Sequence, residues 1–135
     1  MIYVLDTNTL IYFFKGQGTV AETLLNTPPA EVSIPAIVVY ELETGIQKSL
    51  QPEKRTQQLH ALLDAARVLP FDRACASEAA RIRAELEKQG SPIGPTDTLI
   101  AGTALAHGGI LVTHNLDEFK RVPGLRVTDW YIPPL

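Results

Sequence analysis

Acidic side chains recur at four separated places along this chain of 135 residues. They are Asp6, Glu41, Asp97 and, in one short polar segment, Asp117 and Glu118. Clustered carboxylates repel one another and raise each other's pKa unless a cation holds them. Carboxylate oxygens without cysteine or paired histidine suit Mg²⁺ or Mn²⁺ rather than zinc. If the fold brings these places together, we expect a site for a hard divalent cation.

Each of these acidic places also has a purely structural explanation. Asp6 could cap the helix that follows it, because Asp is a favoured N-cap residue. Glu41 could be solvated on a helix face, as Glu43 is expected to be. Asp97 in a first helical turn would interact favourably with the helix dipole, and Asn115 could cap a helix beside solvated acids. Position alone leaves both explanations open, and only the recurrence of acids after strands and on helices favours a shared site.

Short apolar runs alternate with helical patterns along the chain. The runs that predict strands cover residues 2–5, 31–34, 68–69 and 110–113, with 125–127 as a candidate edge strand. The helical patterns cover residues 9–14, 20–25 and 96–106, and three more begin near Pro35, Pro52 and Asp72. Such alternation indicates an α/β sandwich with a mostly parallel sheet. Because these sheets bind ligands at the carboxyl ends of their strands, Asp6 and the segment after residue 113 are expected to face a ligand.

Small residues mark two of the predicted helices. Gly45 lies inside a helical pattern, where glycine costs about 1 kcal/mol relative to alanine, so we expect another segment to approach it closely. The helix over 96–106 is rich in small residues, namely Thr98, Ala101, Gly102, Thr103 and Ala104. We expect them to let this helix pack close to the sheet and to bring Asp97 near Asp6.

The composition is that of an ordinary globular protein, with 45% hydrophobic and 20% charged residues. The length predicts one domain over residues 1–135, and we find neither a membrane span nor a signal peptide. The single cysteine, Cys75, excludes a disulfide framework and a cysteine-based zinc knuckle. Its Ala-rich helical surroundings favour a small core residue over a reactive thiol. We therefore expect the protein to reside in a reducing cytoplasm.

The net charge of −3 comes from 15 acidic and 12 basic residues. A mildly acidic chain does not resemble a general nucleic-acid coat, which usually carries a basic stripe. Without Asp6, Glu41, Asp97 and Glu118, however, eleven acids would remain against the twelve bases. The acidity of the chain is therefore largely accounted for if these four residues line a metal pocket.

Four sequence segments carry a resemblance to a known family. They are YVLDTNT at residues 3–9, YELETG at 40–45, GSPIGPTDTLIAG at 90–102 and VTHNLDEF at 112–119. In this order and at this spacing they resemble the PIN-domain ribonucleases, and specifically the VapC-type toxins of toxin–antitoxin pairs. The resemblance extends over essentially the whole chain. It implies a three-layer α/β/α sandwich with a mostly parallel sheet of about four to five strands.

The resemblance also implies metal-dependent endonucleolytic cleavage of RNA, with Mg²⁺ as the cofactor and Mn²⁺ as a substitute. Asp6 and Asp97 would be the main metal ligands, while Glu41 and a fourth acid would complete the pocket. The fourth acid varies within the family, so Glu118 and Asp117 are both candidates; we favour Glu118, because Glu before Phe is similar to the nearer toxin relatives. Supporting polar contacts are expected from Thr7, Asn8, Thr113 and Asn115.

Macromolecular partners are implied by the same resemblance. A VapB-type antitoxin would lay its C-terminal segment over the pocket, and toxins of this kind usually form homodimers. The apolar stretch 11–14 is a candidate partner surface, with ordinary core as the alternative. Candidate RNA contacts are His114, Lys120 and Arg121. Residues 90–97 and 123–130 are similar to toxins that cut initiator tRNA in its anticodon loop.

Two other classes of protein compete with this interpretation. A catalytically silent PIN-like binding module would share the fold, but the presence of every expected acid argues against a decayed site. A phosphoryl-accepting receiver domain would need an acidic pair before the first helix and a lysine at a late strand end. Asp6 stands alone and Thr113-His114 occupies the late strand end, so we discount the receiver domain.

Overall fold

The computed structural model describes residues 1–133, in which five short strands alternate with seven α-helices. The strands are β1 (Tyr3–Leu5), β2 (Val32–Pro35), β3 (Arg67–Leu69), β4 (Ile110–Val112) and β5 (Arg126–Thr128). The helices are α1 (Thr7–Lys15), α2 (Val20–Leu25), α3 (Ala36–Gln47), α4 (Pro52–Ala65), α5 (Arg73–Lys88), α6 (Pro95–Ala106) and α7 (Leu116–Phe119). A single 3₁₀ turn over Pro29–Glu31 leads into β2. The predicted strands and helices are all present, and their observed limits lie within two residues of the predicted ones.

The five strands form one parallel sheet in the order β3-β2-β1-β4-β5, with β1 at its centre. Val4 of β1 lies opposite Ser33 of β2 on one side and Leu111 of β4 on the other. Past the end of β1, the Asp6 amide donates to the Val112 carbonyl at 3.1 Å. Parallel strands end at the same edge, so the residues after β1 and β4 are neighbours although most of the chain separates them. The predicted three-layer α/β/α sandwich is confirmed, with five strands that are all parallel.

Apolar side chains fill the centre of the sheet, as a parallel sheet covered by helices requires. Leu5, Leu111 and Val112 have no exposed surface. Phe119, at 1% exposure, ends the short helix α7, which no apolar periodicity predicts; Asn115 is at its N-cap, as its capping explanation allows, but its side chain makes no capping hydrogen bond. A helix of four residues is not stable by itself, so its tertiary contacts hold it in place. Among residues 1–133, no helix is both long enough and apolar enough to cross a bilayer.

Two helix starts differ slightly from the sequence prediction. Pro35 was expected in the first turn of α3, but it ends β2 and has an extended ψ of 143°. The proline ring fixes φ in a range that suits both an extended and a helical residue. Because Pro35 pairs with Leu69 of β3, it adopts the extended conformation. Helix α1 begins at Thr7, two residues earlier than predicted, because Asp6 caps it.

Helices α5 and α6 pack against each other at very short range. The apolar stripe of α5 is buried and consists of Cys75, Ala79, Ile82 and Leu86. A Cβ on Gly102 of α6 would lie 2.8 Å from the Ala79 backbone nitrogen and Cβ. The small Gly102 therefore allows close contact with α5, not with the sheet as its small size predicts. Gly45 has no atom within 4 Å of the position of a Cβ, so the expected close approach is wrong for the described chain.

Gly102→Ala is expected to destabilise the protein by about 2 kcal/mol, because the added methyl group would overlap helix backbone that cannot rotate away. Gly45→Ala is a matched control that adds the same group at an open helical position, and it should stabilise the protein by about 0.5–1 kcal/mol. Urea denaturation measures both changes. Two variants of equal stability would contradict the close packing of α5 on α6.

Candidate functional site

Asp6 is the first residue after β1, and it is 4% exposed. Its Oδ1 accepts the Thr9 amide at 2.9 Å, so Asp6 does cap α1. Burial raises the pKa of the Asp6 carboxyl above its ordinary value, and the charge of Glu41 adds to this effect. Hydrogen bonding from Thr113 and Thr9 opposes the rise in pKa. The structural and the functional explanation of Asp6 are compatible, because capping uses one of its two carboxylate oxygens.

Glu41 projects from α3 toward the start of α1. The Thr7 hydroxyl donates a hydrogen bond to Glu41 Oε1 and links the two helices. Glu41 is half-buried, whereas Glu43, two residues later, is exposed. The solvated-face explanation therefore applies to Glu43 but not to Glu41.

Asp97 in the first turn of α6 lies close to the other three predicted pocket acids. The pKa of Asp97 rises from 3.8 to about 7. Burial is the largest cause, followed by the charge of Glu118 and a hydrogen bond with that residue. The charges of Asp6 and Glu41 also raise the pKa of Asp97. Four carboxylates, one after β1 and three on α3, α6 and α7, thus share one electrostatic environment.

Glu118 on α7 is held in place by two donors from other segments. The Gly94 amide donates to Glu118 Oε1 at 3.0 Å, and the Asn115 side-chain amide donates to Oε2. A Cβ on Gly94 would lie 3.4 Å from Asp97 Oδ2 and 3.8 Å from Glu118 Oε1, so both carboxylates converge beside this glycine. Asp117 is exposed, and within residues 1–133 its side chain makes no hydrogen bond or ion pair. Of the two candidates for the fourth acid, Glu118 is the one that lies in the pocket.

The predicted supporting residues divide into two groups. Thr7 contacts Glu41, and Thr113, which is fully buried, accepts the Asn115 amide at 3.0 Å and interacts with Asp6. Asn8 is exposed on α1, and its side chain has no hydrogen-bond partner in the part of the chain that the structure describes. The structure therefore brings Thr7, Thr113 and Asn115 to the pocket but not Asn8.

The predicted RNA contacts lie on the surface beyond β4 and α7. His114 Nδ1 lies 2.8 Å from Asp129 Oδ2, and its ring stacks on Tyr131 with the centroids 4.2 Å apart. Lys120 is exposed, and Arg121 donates to the Pro92 carbonyl at 3.2 Å. Asp129 and Tyr131 hold the His114 ring but were not predicted as site residues; the polar and aromatic character of the tail is the signal that could have indicated them.

The side chains of the pocket suit a hard divalent metal ion. Asp6, Glu41, Asp97 and Glu118 offer oxygen ligands only, which Mg²⁺ and Mn²⁺ prefer. Like charges crowd one another there, as the raised pKa of Asp97 reflects, and a bound cation would remove that repulsion. The chemistry available to such a site is the activation of water against a phosphodiester or a similar electrophile.

Comparisons with known proteins identify the family of this chain. A family model described as PIN domain matches residues 3–125. The tRNA(fMet)-specific endonuclease VapC of Salmonella typhimurium is 38% identical over 128 residues, which is 95% of this chain and 97% of that protein. Ribonuclease VapC2 of Rickettsia felis is 36% identical over 132 residues, or 96% of this chain and 98% of that protein.

Solved structures agree with the sequence comparison. The crystal structure of DNA-bound VapBC from Salmonella typhimurium matches with a TM-score of 0.90 and 37% sequence identity. The match covers 96% of this chain and 98% of that one. The chain therefore belongs to the PIN-domain family and, within it, to the VapC ribonucleases.

Proposed function

We propose that this protein is an endoribonuclease toxin of one domain, residues 1–135, and that its active site consists of Asp6, Glu41, Asp97 and Glu118. The observation that carries this proposal is the convergence of four carboxylates at the carboxyl edge of the sheet, one from the residue after β1 and three from helices α3, α6 and α7. Such crowding is costly for the fold itself, because the charges of the other three acids raise the pKa of Asp97. A cluster of this kind is typical of a functional site.

Asp6 and Asp97 are the proposed ligands of Mg²⁺, for which Mn²⁺ can substitute, and Glu41 and Glu118 complete the pocket directly or through water. When bound, the ion would polarise the scissile phosphate and lower the pKa of the attacking water molecule. The chain positions the other groups. Only Oε1 of Glu41 accepts a hydrogen bond from the described residues, so Oε2 can accept a proton from the attacking water.

Glu118 has a different proposed role from that of Glu41. Both of its oxygens already accept hydrogen bonds, from Gly94 and Asn115. A carboxylate held at both oxygens has a fixed orientation toward the pocket. We therefore assign Glu118 to orienting the metal or its water ligands, and Glu41 to the general-base role.

For the substrate we propose initiator tRNA, cut in the anticodon loop. The relative from Salmonella typhimurium is named as specific for tRNA(fMet) and is 38% identical over nearly its whole length. His114, held by Asp129 and stacked on Tyr131, offers an aromatic face close to Thr113 of the pocket. Aromatic faces of this kind stack on unpaired bases of RNA loops.

Incubation of the purified chain with total RNA and Mg²⁺, followed by mapping of new 5′ ends, tests this proposal. We expect metal-dependent ends in the anticodon loop of initiator tRNA. Cuts confined to ribosomal or messenger RNA would overturn the substrate but not the nuclease. Absence of any cleavage, together with Mg²⁺ binding measured by calorimetry, would instead support a catalytically silent module.

A VapB-type antitoxin is the proposed protein partner, as the VapBC assembly of Salmonella typhimurium suggests. An open groove of about 210 Å³ runs beside the active site and is lined by Ile11, Phe14, Glu41, Gly45 and Ile46 among others. A peptide in this groove could place an arginine on the carboxylates as a charge-assisted pair. The stretch 11–14, half-buried and also bordering a second apolar groove of about 520 Å³, is a partner surface in this proposal. We further propose a homodimer in the cytoplasm.

The double variant Lys120→Ala, Arg121→Ala is expected to weaken RNA binding at every sequence and to lower the slope of log affinity against log salt by about 1–2. The affinity is measured in the Asp97→Asn background so that the RNA stays intact. The control is Arg81→Ala, Arg83→Ala on α5, where each arginine already pairs with a glutamate. Wild-type affinity and salt dependence in the first double variant would refute the RNA contact.

A further inference from the structure

A second cluster of potential ligands lies where α5 begins and α6 ends. Asp72 is the N-cap of α5, Cys75 lies in its first turn, and His107 is the C-cap of α6. One carboxylate oxygen, the sulfur and one ring nitrogen of these residues all lie within 4.8 Å of one another. Cys75 is fully buried, His107 is half-buried, and Asp72 is exposed. The cluster thus has a buried interior and a side open to solvent.

The His107 ring has a nitrogen that lacks a hydrogen-bond partner in the described part of the chain. Its Nε2 is buried and has no hydrogen-bond partner among the residues that the structure describes. A buried polar atom without a partner costs about 1–3 kcal/mol, so such atoms call for an explanation. Two neighbouring groups also carry potential ligand atoms: Cys75 Sγ donates a long hydrogen bond of 3.5 Å to the Pro70 carbonyl, and Asp72 accepts the Cys75 amide through Oδ1 at 3.0 Å.

The chemistry of this cluster differs from that of the acidic pocket. Thiolate, imidazole and carboxylate together are ligands of Zn²⁺ and similar borderline-soft ions, not of Mg²⁺. In a tetrahedral zinc site the ligand atoms lie roughly 3.3–3.8 Å apart, given Zn–N and Zn–S bonds of about 2.0–2.3 Å. The three atoms lie within 4.8 Å of one another, so binding an ion would require the side chains to draw together, and water can fill the fourth position.

The cluster is also remote from the proposed catalytic residues. Asp97 and His107 lie at opposite ends of α6, ten residues apart, which corresponds to about 15 Å along the helix. We propose that Asp72, Cys75 and His107 form a binding site for Zn²⁺ or an ion of the same coordination preference. A bound ion joins the start of α5 to the end of α6 through one ring nitrogen of His107, and it satisfies the buried Nε2 when that nitrogen is the ligand. It stabilises the helix pair that carries Asp97 at its other end.

Titration of the metal-free, full-length protein with Co²⁺ tests the site, because thiolate coordination of Co²⁺ gives an intense near-ultraviolet charge-transfer band. We expect this band in the wild type, its displacement by Zn²⁺, and its persistence in excess Mg²⁺. Cys75→Ser should abolish the band, and His107→Gln should weaken Co²⁺ binding by about 100-fold or more. Asp6→Asn, which alters only the acidic pocket, is the matched control and should retain the full band.

Thermal melting gives a second readout that does not depend on RNA cleavage. In the Asp6→Asn background, where the acidic pocket is weakened as a metal site, Zn²⁺ should raise the melting temperature by several degrees, but not when His107→Gln is added; circular dichroism shows whether that variant is folded. Absence of the charge-transfer band in the wild type would overturn the proposal. A band that survives in Cys75→Ser, or a zinc-induced shift that survives when His107→Gln is added to Asp6→Asn, would overturn it as well.

Discussion

Replacement of Asp97 by asparagine is expected to lower the rate of RNA cleavage by about 1,000-fold or more while the fold stays intact. Asparagine keeps the shape of the side chain but removes the charge that the proposed metal ion requires. A loss of this size corresponds to about 4 kcal/mol of transition-state stabilisation, which is within the range that a catalytic metal supplies. Initial rates on the mapped RNA substrate measure the effect.

Asp6→Asn should lower the rate of RNA cleavage to the same extent, and this loss can be separated from any change in stability. Asn caps helices as well as Asp does, so the hydrogen bond to the Thr9 amide is retained. The variant should therefore unfold at nearly the wild-type temperature and yet lose cleavage. Full activity of either variant on the true substrate would refute the assignment of the site.

Asp117→Asn is the matched control for both variants. It removes one carboxylate from an exposed position next to Glu118 but outside the pocket. Its activity should stay within about threefold of the wild type. If Asp117→Asn lost cleavage while Glu118→Gln retained it, the fourth acid would be Asp117 and the hydrogen bonds of Glu118 would be structural.

The sheet could be predicted from the sequence because its signals are local. Apolar runs such as residues 2–5 and 110–113, together with the caps Asp6 and Asp72, specify each element from its own residues. The acidic residues of the pocket could also be predicted from the sequence, because their chemical character is local. Their convergence follows from the strand order, which puts β1 beside β4 and thereby the residue after β1 beside the segment after β4.

Features that depend on tertiary contacts could not be predicted from the sequence. Helix α7 has no periodic pattern of its own, and the bond between Glu118 and the Gly94 amide joins segments that no local rule connects. The two glycines make the same point. Gly45 and Gly102 both lie inside helices, but only the packing of α5 decides which of them has a neighbour within contact distance.

Without metal, the protein is expected to become less stable as the pH rises from about 4 to about 7. In the folded chain Asp97 keeps its proton up to about pH 7, whereas in the unfolded chain it loses it near its ordinary pKa of 3.8. The folded state therefore binds more protons across this range, and the free energy of unfolding falls as the pH increases. Because the pocket is partly open to solvent, we expect a loss of only about 1 kcal/mol, measured by thermal melting in a chelator.

Mg²⁺ should reverse this trend. At one hundred times its dissociation constant a ligand adds about 2.7 kcal/mol to stability, and the gain should be larger at pH 8, where Asp97 needs no deprotonation, than at pH 5. Asp97→Asn should melt above the wild type at pH 8 in chelator but gain little from Mg²⁺, whereas Asp117→Asn should behave like the wild type in both conditions. If Asp97→Asn instead proved less stable than the wild type without metal, the carboxylates would not repel one another in the folded state. Charge repulsion would then no longer argue for a divalent cation in the pocket, because the fold alone would already accommodate the negative charge.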